Sequence, residues 1–127
     1  MDFNECACSG KTLGRLVQPA IMGLLAQEPL HGYLLVQRLT EMTMFKCHPP
    51  DPTGVYRVLK SLENDGLVSS SWDLADSGPA RRQFVLTKSG HSCLRRWVQT
   101  LEEYGQAIGD LLAAIKPPES GVRRAVG

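Results

Sequence analysis

At 127 residues the chain is long enough for one compact domain, or for a small domain with a long appended helix, and too short for two independent cores. Apolar residues make up 43% and charged residues 21%, near globular averages, which excludes wholesale disorder and collagen-like order. Fourteen Lys and Arg against thirteen Asp and Glu leave a formal charge of +1, so no global field marks a nucleic-acid or membrane partner, and any basic surface must be local.

Residues 1–11, MDFNECACSGK, are polar and aperiodic and are expected to form a flexible arm. Asp2, Glu5, Lys11 and Arg15 break up the N-terminal region, and no apolar run is long enough for a signal peptide or a membrane span. A cytoplasmic protein is therefore expected, and with it reduced thiols at Cys6, Cys8, Cys47 and Cys93 rather than disulfides.

From Leu13 the positions Leu13, Leu16, Val17, Ile21, Leu24 and Leu25 recur at helical spacing. Pro19 interrupts them, so the helix either begins near Gln18 or kinks there. Gln27 to Leu30 read as a turn, and a second helix follows with Tyr33, Leu34, Val36 and Leu39 as its apolar positions, fading by Phe45. Three prolines between Cys47 and Pro52 forbid helix and strand interior. Asp51 offers a cap with Pro52 at the first helical position, so a third helix starts there. It runs through Val55, Val58, Leu59 and Leu62 and stops at Gly66, a residue suited to a left-handed C-cap. Two β-capable runs, Leu67 to Leu74 and Gln83 to Leu86, flank a turn with Gly78 and Pro79 and read as a hairpin. Thr87 caps a long last helix that Pro117 and Pro118 end.

The expected fold class is therefore mainly α with a small β-hairpin, a winged helix-turn-helix over residues 12–87 followed by a long helix over 88–116 and a flexible tail over 117–127. In that architecture the third helix enters the DNA major groove and the hairpin touches neighbouring backbone. On the third helix Thr53, Tyr56, Arg57 and Lys60 follow an i, i+3, i+4, i+7 stripe apart from the apolar face. A hydroxyl, a phenol, a guanidinium and an ammonium suit phosphates and base edges, Arg being able to hold guanine bidentately. A merely solvated helix face is the alternative. Between Ser77 and Arg96 stand Arg81, Arg82, Lys88, Arg95 and Arg96 without one acid, which concentrates positive charge at the wing. A tip at Gly78 with Arg81 and Arg82 behind it can set backbone amides and cations against phosphate.

The last helix carries Leu94, Trp97, Leu101, Tyr104, Ile108, Leu111 and Ile115 in alternating steps of three and four. A heptad seam of that regularity implies a partner helix, most simply that of a second copy of the chain. A homodimer would set two reading helices about one DNA turn, roughly 34 Å, apart on a palindromic site.

Three segments in this order, IMGLLAQEPLHGYLL at 21–35, PTGVYRVLKSLENDGLVSSSW at 52–72 and GPARRQFVLTKSGHSCL at 78–94, resemble PadR-type transcriptional regulators, a likeness that runs from about Val17 to Leu112. The resemblance implies a dimeric winged-helix repressor in which Tyr56, Arg57 and Lys60 match the reading helix and Arg81 and Arg82 the wing. It implies that the last helix and the partner's first helix form the dimer. The short last helix is similar to the compact branch of the family, some members of which bind flat aromatic compounds between subunits. Their paired tryptophan would fall near Leu101, one turn after Trp97. Double-stranded DNA, a second copy and a small-molecule effector are the expected partners, and no membrane.

Catalysis has no motif here: no carboxylate pair, phosphate loop or nucleophile elbow, and neither cofactor nor metal is expected. Cys6, Cys8, Cys47, Cys93 and His48 form the one chemical constellation, a metal, cluster or redox sensor in the alternative reading. The Cys-Ala-Cys spacing is narrower than the pairs structural zinc prefers. A winged helix that binds protein instead of DNA is the remaining alternative, and such domains tend to lose the basic stripe kept here.

Overall fold

The structure is a computed structural model and describes residues 11–73 and 81–117. A 3-10 turn, Lys11–Leu16, leads into α1, Val17–Gln27. Pro19 lies in the first turn of α1, where its missing N–H would have had no intrahelical partner, so the helix accommodates it beside its start at Val17. Val17, Pro19, Ile21, Met22 and Leu25 form its buried face.

The expected turn before the second helix contains a strand. β1 is only Leu30–His31, and it pairs antiparallel with the wing, Leu30 opposite Phe84 and His31 opposite Gln83. Two residues carry no readable alternation, and their partner lies more than fifty positions away in sequence. α2, Gly32–Glu41, also differs from expectation: its inward positions are Gly32, Leu35 and Leu39, while Tyr33 is 50% exposed. Leu35 and Leu39 sit one turn apart on the face that meets the core, and Tyr33 turns away from it. The helix stops at Glu41 rather than fading by Phe45. Met42 is extended, and a separate 3-10 turn, Thr43–Phe45, drops Phe45 into the core.

α3, Pro52–Asn64, begins as expected: Asp51 Oδ2 accepts the Gly54 amide at 3.3 Å with Pro52 at the first position. Its end follows the expected motif too. Gly66 takes φ 77°, and the Leu67 amide donates to the Leu62 carbonyl at 2.9 Å. β2, Val68–Asp73, and β3, Arg81–Leu86, form the wing, and with β1 they make a three-stranded antiparallel sheet in the order β1-β3-β2. The hairpin is thus part of a slightly larger sheet than expected. Val68 opposite Leu86 and Ser70 opposite Phe84 set the register that buries Val68, Phe84 and Leu86.

Thr87 caps α4, Lys88–Ile115: its Oγ1 accepts the Gly90 amide at 3.0 Å and donates to the Gly66 carbonyl at 2.7 Å. Gly90 is buried against the Leu67 carbonyl and the Leu86 side chain, so close that a Cβ there would clash with backbone. The chain divides into two compact units at Arg95/Arg96, which assigns the first two turns of α4 to the winged unit. In the second unit, the described residues 96–117 include no buried side chain. Among the described residues no helix is long and apolar enough to cross a membrane.

Candidate nucleic-acid interface

Val55, Leu59 and Leu62 lock one face of α3 into the core, and that orientation leaves Thr53, Tyr56, Arg57 and Lys60 on the outer face. Tyr56 is 45% exposed, and its ring lies over Gly32 at the start of α2, where a Cβ would stand 2.6 Å from the phenol oxygen. Gly32 therefore permits the close approach that fixes Tyr56, which gives the second residue of the HGY segment a steric reason. Among the described residues Arg57 and Lys60 have no hydrogen-bond or ion-pair partner. Two solvated cations on one helix face are available to an outside anion.

The wing arginines are placed differently. Arg81 donates from Nη1 to the Tyr33 hydroxyl at 2.9 Å, and its guanidinium lies 5.4 Å from the centre of the Tyr33 ring. Tyr33 in turn stacks on His31 at 6.2 Å between centroids, and His31 Nε2 meets Asp73 Oδ2 at 3.0 Å. Arg82 is held on the other face of the sheet: Nε donates to Ser70 Oγ at 2.9 Å and Nη2 to Glu63 Oε1 at 3.3 Å. Its guanidinium lies 5.9 Å from both the Trp72 and Phe84 ring centres. Ser70 donates to Glu63 as well, so Glu63, Ser70 and Arg82 tie β2 and β3 to α3. The sequence showed two adjacent arginines; the alternation of β3 sends them to opposite faces with different partners. Gly78, with the rest of residues 74–80, lies outside the described residues.

The model for the transcriptional regulator PadR-like family matches residues 21–96. The chain belongs to this family. No curated protein matches it. A crystal structure of a PadR-family transcriptional regulator from Eggerthella lenta superposes with a TM-score of 0.65 at 25% identity, covering 87% of this chain and 97% of that one. A PadR-like regulator from Bacillus cereus gives 0.69 at 20% identity over 79% and 94% of the two chains. A PadR-family regulator from Clostridium difficile gives 0.68 at 20% over 76% and 98%. These last two are likenesses of fold. As a PadR-family protein the chain is a DNA-binding transcriptional regulator rather than an enzyme.

Cys6 and Cys8 lie outside the described residues, Cys47 is an exposed free thiol and Cys93 a half-buried one. His48 flanks a groove at the start of α3 with Pro50, Gly54 and Arg57. Among the described residues no group of three His, Cys, Asp or Glu side chains could hold a metal ion. The α4 seam is graded: Leu94, Trp97 and Leu101 are half-buried, while Tyr104, Ile108, Leu111 and Ile115 are exposed, Ile108 at 63% and Ile115 at 67%. Sequence reasoning passed over Tyr33, Glu63, Ser70 and Trp72. Ser70 and Trp72 had a usable signal, since both share strand parity with Val68.

Proposed function

We propose that this PadR-family regulator is a repressor that binds a palindromic operator as a homodimer and is released by a small-molecule effector. Support for the reading role of α3 comes from one observation above all: Arg57 and Lys60 stand solvated on its outer face beside Thr53 and Tyr56. In this reading Arg57 holds a base edge, while Thr53, Tyr56 and Lys60 contact bases or phosphates nearby. Arg81 and Arg82 act on phosphate from the wing, with Gly78 at its tip. Arg82 does so from a fixed position, because Glu63 and Ser70 hold its guanidinium.

Residues 12–87 form the DNA-binding domain in this proposal and 88–116 the dimerisation helix. Exposed apolar side chains at Tyr104, Ile108, Leu111, Leu112 and Ile115 support that role, since a solvated helix face of this length is normally polar. The seam Leu94, Trp97, Leu101, Tyr104, Ile108, Leu111 and Ile115 would be covered by a second copy. Flat aromatic compounds are the effector class to test, on the compact-branch resemblance. A mobility shift on the DNA just upstream of the protein's own coding region tests the whole reading. A complex that survives excess random duplex is expected, and equal competition by random duplex would contradict it.

A further inference from the structure

Trp72 is the one large aromatic residue of the wing left mostly in water, at 62% exposure. It shares a strand face with Val68 and Ser70, which turn toward the body of the domain, but it lies past the end of the core, opposite Arg82 in the register. The result is a groove of about 570 Å³ between wing and α3. Trp72 and Arg82 form one wall, Tyr56 and Lys60 the other, and Leu59 and Phe84 the floor. Glu63 also lines it, but Arg82 pairs with that carboxylate at 3.3 Å, so Lys60 leaves the groove with a net positive charge.

A duplex strand divides the major groove from the minor groove. With α3 in the major groove and the wing against the neighbouring backbone, that strand runs between them. A sugar–phosphate strand alternates apolar deoxyribose faces with anions, which matches an indole wall beside a solvated ammonium. We infer that this groove receives one sugar–phosphate strand, with Trp72 packed on a deoxyribose and Lys60 on the flanking phosphate. The assignment rests on the DNA-reading role of α3 and adds a residue that neither its stripe nor the basic run includes. A sugar contact is independent of base identity, so Trp72 contributes affinity and not specificity.

The test uses the full chain, the upstream fragment and a random duplex of equal length, each titrated across a range of salt. Trp72→Ala should weaken binding to both DNAs by a similar factor, about tenfold, and Trp72→Phe should retain part of it. Because no phosphate contact is lost, the salt slope of Trp72→Ala should match the wild type, whereas Lys60→Ala should make it shallower by about one unit. Tryptophan emission should change on adding DNA to the wild type and change far less in Trp72→Phe. Unaltered affinity of Trp72→Ala would overturn the inference and leave the groove to another ligand, such as a small molecule. A loss with a shallower slope would overturn it too, by showing that Trp72 only holds the wing cations in place. In both cases the wild type still retards the DNA. A wild type that retards neither DNA would remove the proposed function and this inference together. Trp72 contributes little to the core, and Trp72→Phe keeps an aromatic wall should the alanine variant unfold.

Discussion

The winged unit and the second half of α4 use apolar residues in opposite ways. Up to Arg95 the chain closes its own core: every buried apolar side chain, from Val17 to Leu86, belongs to that unit, and no polar or charged side chain is buried with them among the described residues. From Tyr104 on, the apolar stripe of Tyr104, Ile108, Leu111 and Ile115 stays in water. Both α3 and α4 are amphipathic, so the pattern alone does not tell which stripe finds its partner within the chain. Exposure separates them: Val55, Leu59 and Leu62 of α3 are buried, whereas Tyr104, Ile108, Leu111 and Ile115 of α4 are exposed.

The largest difference between the two regions should appear on truncating apolar side chains. Leu35→Ala, at a fully buried site, should cost about 2–5 kcal/mol in urea unfolding, a large part of the stability of a small domain. A cost below 1 kcal/mol would mean that the core is not closed as described. Ile108→Glu should leave the unfolding of the winged unit nearly unchanged yet yield monomers in ultracentrifugation at micromolar concentration. A charge forced into the proposed seam costs several kcal/mol of association when unpaired. An unaltered dimer would place the interface elsewhere.

Smaller effects sharpen the boundary between the regions and the roles within the winged unit. Arg57→Ala should narrow the ratio of operator to random-DNA affinity by about 1–3 kcal/mol, read from parallel titrations. An unchanged ratio would take base reading away from Arg57. Thr87→Ala removes the cap that fastens the start of α4 to Gly66 and should cost about 1 kcal/mol of winged-unit stability. If it changes oligomeric state instead, the first turns of α4 belong functionally with the seam.

Local chemistry was legible in the sequence. Asp51-Pro52, Gly66 and Thr87 each mark an element boundary through a side chain or backbone property that acts within a few residues, and all three stand where expected. Long-range pairing was not. β1 exists because Leu30 and His31 meet Phe84 and Gln83, and nothing near Leu30 announces it. The same holds for the reading surface. The stripe Thr53, Tyr56, Arg57 and Lys60 follows from helical period alone, but the partners of Arg81 and Arg82, Tyr33 on one face and Glu63 with Ser70 on the other, depend on how sheet and helices meet. Trp72 sat between these cases: strand parity places it beside Ser70, and only the depth of the core shows that it overhangs the edge.

Hydroxyl-radical footprinting of the upstream DNA tests the central claim most directly, because it reads the DNA-binding surface and the assembly at once. Two protected patches of equal strength, related by a two-fold axis and roughly 34 Å apart, are the expected result, collapsing to weak and unpaired protection with Ile108→Glu. A single patch for the wild type, or paired patches that persist in a monomeric Ile108→Glu variant, would contradict a homodimer that presents two α3 helices to one palindromic site.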